Sequence, residues 1–132
     1  MITLRRALPG EESALSDWTD AHLRKDFFFR RRHWHDTLRD INKAVWVLED
    51  EGCIVGIVVT YLGCMLRNLY LHPDYRGRGL GSTICSLLEL KEVRAKTDMS
   101  TGDPTEFYVK NGFVPVRKEG KIVVLEKRRV GA

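Results

Sequence analysis

The segment Leu69–Gly81 reads LYLHPDYRGRGLG, and it is the most informative stretch of this sequence. An alternating apolar run stops at a proline, and glycines interleaved with two arginines then lead into an amphipathic stretch. Glycine lets a backbone approach a ligand with its N–H groups uncovered, and the start of a helix adds the positive end of the helix dipole. Arg76 and Arg78 add donors that suit phosphate oxygens. The segment therefore predicts a pyrophosphate site at the start of a helix.

The spacing of the glycines argues against two common phosphate-binding loops. A Walker-type loop requires a lysine after its last glycine, and Gly81 is followed by Ser82. A dinucleotide-binding loop has the pattern G-x-G-x-x-G, whereas Gly77, Gly79 and Gly81 form G-x-G-x-G, and no acidic residue ends a second strand at the expected distance. The pattern that remains is R-x-x-G-x-G, which begins at Arg76.

Length and composition are those of one globular domain. A chain of 132 residues is long enough for one core but not for two, and its 43% hydrophobic and 30% charged residues are typical of soluble proteins. The longest apolar run, residues 53–62, is far shorter than the roughly 20 residues that cross a bilayer. The N-terminus lacks the apolar region of a secretion signal. We therefore expect a single domain over residues 1–132, in the cytoplasm and not in a membrane.

The cysteines and the charge set further limits. Cys53, Cys64 and Cys85 are scattered and form no C-x-x-C pair, which argues against a disulfide framework and against a metal site. Cys85 lies in an apolar helical stretch, where a buried core thiol is expected. The net charge is +4. This basic balance is compatible with a nucleic-acid partner but does not require one.

The hydrophobic patterns predict a mixed order of helices and strands. Residues 53–61 are almost wholly apolar, which predicts a strand buried on both faces. Strict alternation along residues 65–71 places the side chain of Leu66 on the opposite face of the strand from Leu69 and Leu71. Pro115 predicts that its strand lies at an edge of the sheet or contains a bulge. The other predicted strands are 2–7, 44–49, 93–97, 113–118 and 121–126; the predicted helices are 11–23, one beginning after Asp26, one with the stripe Leu80, Ile84, Leu87 and Leu88, and a short one between Asp103 and Asn111.

Two sequence blocks resemble the GCN5-related N-acetyltransferase (GNAT) superfamily. The acyl-CoA signature of that superfamily, Gln/Arg-x-x-Gly-x-Gly/Ala after a strand and a proline turn, corresponds to Leu69–Gly81. A second block, an aromatic or aliphatic residue followed by Tyr-x-x-x-Gly-Phe, corresponds to Phe107–Phe113, which reads FYVKNGF. The resemblance covers the C-terminal two thirds of the chain. It departs at residues 100–104, STGDP, where many members carry an Asn and an Ala, so an Asn contact to the cofactor is not expected.

The resemblance implies a fold and a cofactor. The fold is α/β (α+β), a mixed, mostly antiparallel twisted sheet of about six to seven strands with helices on both faces. Acetyl-CoA would be the co-substrate. Backbone N–H groups at the glycine turn would hold its pyrophosphate, and a splayed end of the fourth strand would free backbone groups for the pantetheine amides and the thioester carbonyl. The implied cofactor-binding residues are Leu69, Leu71, Arg76, Gly77, Arg78, Gly79, Leu80, Gly81 and Ser82.

Tyr108 is the catalytic residue that the resemblance implies. The family places a hydroxyl near the thioester sulfur, and a tyrosine with an ordinary pKa of about 10 can donate its proton to a leaving thiolate. The alternative is a tyrosine that packs under the sheet with its hydroxyl bonded to a carbonyl. Many relatives have a Glu base on the fourth strand, where this chain has Arg67 and Asn68. His72, His33, His35 and Asp36 are candidate bases by residue type alone, and water ordered by Asn68 is an equal alternative, so no base is assigned.

The predicted activity is transfer of an acetyl group from acetyl-CoA to a primary amine of a small molecule or peptide, by direct attack in a ternary complex. One alternative is a non-catalytic, CoA-binding or regulatory module, and another is an acetyltransferase that acts on an aminoacyl-tRNA. Residues 26–36 combine aromatic and cationic side chains. They form either a core face with a solvated face, or a cleft wall that favours an anionic or aromatic acceptor over a polyamine. The expected assembly is a monomer or a homodimer.

Overall fold

The computed structural model describes residues 1–23, 31–100 and 102–128. Within these ranges the helices and strands agree with the predicted ones, with shifts of a single residue at some ends, and the start predicted for the second helix lies outside the described residues. The strands are β1 (Ile2–Arg6), β2 (Lys43–Asp50), β3 (Cys53–Tyr61), β4 (Met65–Leu71), β5 (Glu92–Lys96), β6 (Phe113–Glu119) and β7 (Ile122–Lys127). The helices are α1 (Glu12–Leu23), α2 (Arg31–Arg39), α3 (Leu80–Leu87) and α4 (Thr105–Lys110), with a 3-10 turn at Pro73–Tyr75.

The strands form one seven-stranded sheet in the order β1-β2-β3-β4-β5-β7-β6. The β4–β5 pair is parallel and every other pair is antiparallel. This confirms the mixed, mostly antiparallel sheet. β6 is an edge strand, and its register shifts between Pro115 and Arg117, so the position predicted for Pro115 is confirmed. A proline at an edge leaves no ladder hydrogen bond unmade in the interior of the sheet.

Helices cover both faces of the sheet, and each face has its own core. On one face α1 and α2 contribute Leu15 and Trp34, both fully buried. On the other face α3 and α4 contribute Ile84 and Tyr108. β3 is shared by the two cores and is buried over most of its length, as its apolar sequence predicts. Burial of a large aliphatic side chain contributes about 1.5–3 kcal/mol, so the two layers hold the sheet between them.

The burial predicted for Leu87 is wrong: its side chain is 64% exposed. The residues of α3 that face the core are Gly81, Ile84 and Cys85. At 3.6 residues per turn these residues share one face, and Leu87 lies on its flank. Cys85 is a buried thiol, as expected.

The alternation predicted for β4 is also wrong at Leu66, which contacts the same core as Leu69 and Leu71. The reason is a β-bulge. Val59 pairs with Asn68 and Thr60 pairs with Leu66, so Arg67 is an extra residue in β4. One inserted residue moves the side chains that precede it to the opposite face.

Among the described residues, every helix is too short or too polar to cross a membrane.

Candidate active site

β4 and β5 separate after two paired positions. Met65 pairs with Glu92 and Leu66 pairs with Val93, and the pairing ends there. His72 N–H donates to the Val55 carbonyl of β3 at 2.8 Å. Successive residues of a strand direct their N–H groups to opposite edges, so the N–H groups of Leu69 and Leu71 are directed to the open side of β4. The splayed fourth strand, with these two positions on its free edge, is therefore present.

A groove of about 360 Å³ lies on the α3–α4 side of this opening. Most of the residues predicted to bind CoA line it: Leu69, Leu71, Arg76, Gly77, Gly79, Leu80 and Gly81. The remaining lining residues are Leu23, Tyr70, Tyr75, Met99, Pro104, Phe107 and the predicted catalytic residue Tyr108. Tyr75 and Phe107 lie inside the two sequence blocks and could have been identified there. Leu23 and Met99 come from separate segments with no motif of their own.

The glycine turn leaves backbone donors uncovered at the start of α3. Gly77 and Gly79 have positive φ values of 74° and 79°. Gly79 is the N-cap of α3 and has no side chain to cap the helix, and a Cβ at this position would meet no atom of the described residues within 4 Å. The first N–H groups of a helix have no partner inside it. The turn thus fits an anionic diphosphate, as the sequence predicts.

Gly81 is predicted only as a phosphate-binding residue, but the structure shows that it also allows close packing of two helices. A Cβ on Gly81 would lie 2.7 Å from Cζ of Phe107 and 3.3 Å from its Cε1. Glycine therefore lets α3 approach α4, and the two sequence blocks meet at this contact.

Replacement of Gly81 by Ala should lower the free energy of unfolding. Overpacking against Phe107 costs about 1–3 kcal/mol, which exceeds the gain of about 1 kcal/mol from the better helix former. Adding Phe107→Leu should recover much of the loss, because it removes the atoms nearest to the new methyl group. Urea unfolding of the wild type, both single variants and the double variant measures this coupling. Strictly additive effects would show that the contact is unimportant.

The two arginines of the motif have different surroundings. Arg76 lines the groove. The guanidinium carbon of Arg78 lies 4.8 Å from the ring centroid of Tyr75, whose hydroxyl donates to Asp50 at 2.5 Å. This hydrogen bond, with smaller contributions from the N-terminus and Arg78, lowers the pKa of the Asp50 carboxyl. Arg78 therefore belongs to a cluster that links the turn to β2, and it is not among the residues that line the groove. Ser82 is not among them either, and it is exposed.

Tyr108 lies where the groove meets the opening in the sheet. Asp103 accepts hydrogen bonds from the N–H and the hydroxyl of Thr105 at 2.9 and 2.6 Å, which fixes the start of α4. Tyr108 is 6% exposed, with its ring 5.0 Å from that of Phe107. Its hydroxyl has no hydrogen-bond partner in the described part of the chain. The structure therefore shows no hydrogen bond from this hydroxyl to a carbonyl of the described residues, in contrast to the alternative considered from the sequence.

Burial raises the pKa of Tyr108, with a smaller contribution from Cys85. Its hydroxyl is therefore protonated at neutral pH and is available as a donor to a group in the groove.

The opening between β4 and β5, which we call the passage, adjoins this groove. A cavity of about 180 Å³ fills the space between β4 and β5, and it shares Leu69, Tyr70 and Tyr108 with the groove. It also shares Arg67 and Asn68 with a further cavity of about 240 Å³ on the α2 side, which we call the acceptor cavity. The lining of the acceptor cavity is His33, Thr37, Lys43, Val59, Arg67, Asn68, Arg94 and Ile122. The groove and the acceptor cavity therefore both adjoin the cavity in the opening.

Of the candidate bases, His33 lines the acceptor cavity, and so does Asn68, the residue expected to order water in the alternative without a side-chain base. His35 lies 3.8 Å from Glu12, and Asp36 lies 3.5 Å from Arg32, on other parts of the surface. His72 accepts a hydrogen bond at Nδ1 from the Asp74 N–H at 3.1 Å, in the turn that precedes α3.

The pKa of His33 is lowered, first by burial and then by Lys43, with Asp36 opposing. The unfolded chain, with an ordinary pKa of 6.5, takes up this proton before the folded chain does. The free energy of unfolding should therefore fall as the pH drops below 6.5, and His33→Gln should make this fall shallower. Urea titrations at a series of pH values from about 7.5 to 5.5 measure the slope. Equal slopes in the two proteins would contradict this origin.

Residues 26–30 of the predicted acceptor wall at residues 26–36 lie outside the described residues. From Arg31 onward the segment forms α2, and Trp34 is 0% exposed. For Trp34 the interpretation as a core face is therefore confirmed.

Comparison with known proteins gives a family match. Residues 42–115 match the family model described as an acetyltransferase (GNAT) domain. A search of curated protein sequences found no match. An acetyltransferase from Thermus thermophilus superposes with a TM-score of 0.76 at 14% identity, over 95% of each chain. The PaiA N-acetyltransferase of Thermoplasma acidophilum, solved with coenzyme A, gives 0.65 at 17% identity, over 98% of this chain and 99% of the other.

A variant of the SpeG spermidine N-acetyltransferase from Vibrio cholerae gives a TM-score of 0.63 at 13% identity, over 94% of this chain and 91% of the other. At these identities the solved structures show that the fold is shared. The family model covers more than half of the 132 residues, including the glycine turn, the opening in the sheet and Tyr108. The resemblance found in the sequence is thereby confirmed, and acetyl-CoA is the co-substrate. The chain belongs to the GNAT acetyltransferase family.

Proposed function

We propose that this chain transfers the acetyl group of acetyl-CoA to a primary amine of a small molecule or peptide, by direct attack in a ternary complex. The observation that carries the proposal is the passage between β4 and β5, with a groove on one face and the acceptor cavity on the other. Both substrates can be bound at once, so no acyl-enzyme is required. Residues 1–132 act as a single N-acetyltransferase domain, in which both helix layers pack on one sheet.

The backbone supplies most of the contacts to acetyl-CoA in this proposal. The N–H groups at the start of α3, together with Arg76, bind the pyrophosphate. The N–H groups of Leu69 and Leu71 bind the pantetheine amides and the thioester carbonyl. A backbone N–H that is already oriented stabilises the negative charge that develops on this carbonyl oxygen during attack.

Tyr108 supplies a proton in the transfer. The amine nitrogen forms a bond to the acetyl carbon, and the bond from that carbon to sulfur breaks. The nitrogen loses one proton to water in the acceptor cavity, where Asn68 lies, and the departing sulfur takes one from the Tyr108 hydroxyl. Solvent then restores the Tyr108 proton, so charge and protons balance over the cycle.

The test is release of the CoA thiol from acetyl-CoA across a panel of amines, amino acids and peptides. Intersecting initial-rate patterns support a ternary complex, and parallel patterns would indicate an acyl-enzyme. Thermal stabilisation by CoA, measured separately, reports binding without chemistry. Stabilisation with no thiol release for any acceptor would favour a non-catalytic CoA-binding module. Activity confined to an aminoacyl-tRNA would favour the other alternative.

A further inference from the structure

The lining of the acceptor cavity is cationic. Arg67, Lys43 and Arg94 contribute positive charges, and none of the described residues that line it is an Asp or a Glu. The lowered pKa of His33 has the same origin in part, since Lys43 contributes to it. A cavity of this kind attracts an anionic group and repels a cationic one.

Among the described residues, Arg67 is the cation of this lining that has no carboxylate partner. Nη2 of Arg94 lies 2.6 Å from Oε2 of Glu119, and Nζ of Lys43 lies 4.0 Å from Oδ2 of Asp40. Arg67 forms no ion pair within the described residues, and its Nε is buried without an acceptor there. A guanidinium stays charged in a protein, and a partly buried charge without a partner is unfavourable. An anion on the ligand would supply the missing partner.

The side chain of Arg67 is oriented before any ligand arrives. Arg67 is the extra residue of the bulge in β4, and bulges redirect side chains. Its guanidinium carbon lies 4.5 Å from the ring centroid of Tyr61, a stacking contact that restrains the plane of the group. A restrained guanidinium binds carboxylate or phosphate oxygens with little further loss of entropy.

We propose that the acceptor amine carries a carboxylate or phosphate group, which Arg67 binds in the acceptor cavity while the amine reaches into the opening. This inference rests on the proposed function and specifies its acceptor. A polycationic acceptor is disfavoured by the like charges of the lining. The same positive charges favour the neutral form of the amine, which is the form that attacks.

Matched pairs of acceptors test the proposal and separate the two sources of charge. The pairs are glycine with glycinamide and O-phosphoethanolamine with ethanolamine, and spermidine is the cationic probe. The quantity measured for each pair is the kcat/KM of the anionic member divided by the kcat/KM of the neutral member. Division of the wild-type ratio by that of Arg67→Met cancels the intrinsic reactivities of the amines. This quotient should be roughly 10- to 100-fold for the pair whose anion fits.

The variants assign the effect to Arg67. Arg67→Met should raise KM for the anionic acceptor far more than KM for the neutral acceptor of the same pair. Arg67→Lys should give an intermediate ratio, because it keeps the charge and loses the planar fork. Arg128→Met is the control, because it removes the same charge from an exposed position outside the cavity, and it should keep the wild-type ratio.

Two results would overturn the inference and leave the proposed function standing. One is a higher kcat/KM for spermidine or for the neutral members than for both anionic members. The other is a ratio that Arg67→Met leaves unchanged. Absence of thiol release with every amine would instead overturn the proposed function itself.

The inference also stays testable if Arg67→Met does not fold, which loss of thermal stabilisation by CoA would reveal. Arg67→Lys and inhibition of the wild type by propionate and by inorganic phosphate then decide. Inhibition that competes with the amine supports the proposal. Inhibition that competes only with acetyl-CoA, or no inhibition, contradicts it.

Discussion

Replacing Tyr108 by Phe should lower kcat by roughly 10²- to 10³-fold and leave the Kd for CoA nearly unchanged. The ring stays in its place against Phe107 and Phe113, so the packing of α4 is kept. What is lost is a hydroxyl that burial keeps protonated and that has no partner in the described part of the chain. Steady-state kinetics with a reactive amine and calorimetric titration with CoA measure the two quantities.

Two outcomes would contradict the role of Tyr108. Unchanged kcat in the Phe variant would remove its hydroxyl from the proton transfer. A parallel loss of CoA affinity and thermal stability would show that Tyr108 acts through packing. Tyr108→Ala provides the comparison, because it removes the ring as well and should lower stability, CoA affinity and kcat together.

Replacing Gly79 by Ala should raise the Kd for CoA about tenfold or more, and the structure offers a matched control. Gly79 and Gly63 share a φ of 79°, and a Cβ on either would meet no atom within 4 Å in the part of the chain that the structure describes. A side chain at such a φ costs about 1–2 kcal/mol, so both variants should lose similar stability. Only Gly79 orients the first N–H groups of α3, and a turn that relaxes to negative φ turns them away from the pyrophosphate.

Calorimetric titration with CoA separates the two glycines. The expected result is weakened binding for Gly79→Ala and wild-type binding for Gly63→Ala, at comparable melting temperatures. Equal affinities in the two variants would show that the turn does not bind the pyrophosphate through its backbone.

The glycine motif could be predicted from the sequence because its requirements are local. A positive φ at Gly77 and Gly79 and a helix start at Leu80 depend on neighbours in the chain, and the structure has them where the spacing places them. The edge position of Pro115 is of the same kind, because a missing N–H restricts a residue wherever the chain goes.

The bulge at Arg67 could not be predicted, because it exists only in the pairing of β4 with β3. Within residues 65–71 alone, Arg67 continues a regular alternation, and the sequence shows it only as the residue near the position of the family's Glu. The sequence could not predict that Arg76 lines the groove and Arg78 does not, because this too depends on contacts between distant segments. Arg78 stacks on Tyr75, and Tyr75 is held in turn by its hydrogen bond to Asp50 of β2.

The passage likewise depends on how distant segments assemble. The passage and the acceptor cavity together bring Arg67 of β4, His33 of α2 and Tyr108 of α4 into one region. Each of these residues has an ordinary local role in its own element. Only the separation of β4 from β5 brings them to one space.

That separation divides the sheet into two halves, β1–β4 and β5–β7–β6, which are joined through two residue pairs. Leu69 and Leu71 belong to one half, whereas α4, which carries Tyr108, follows β5 of the other. Acetyl-CoA bound in the groove would contact both halves and stabilise the junction between them, where only two residue pairs join the strands. If the acceptor enters this opening as proposed, binding of acetyl-CoA would also stabilise the walls of the acceptor's own site.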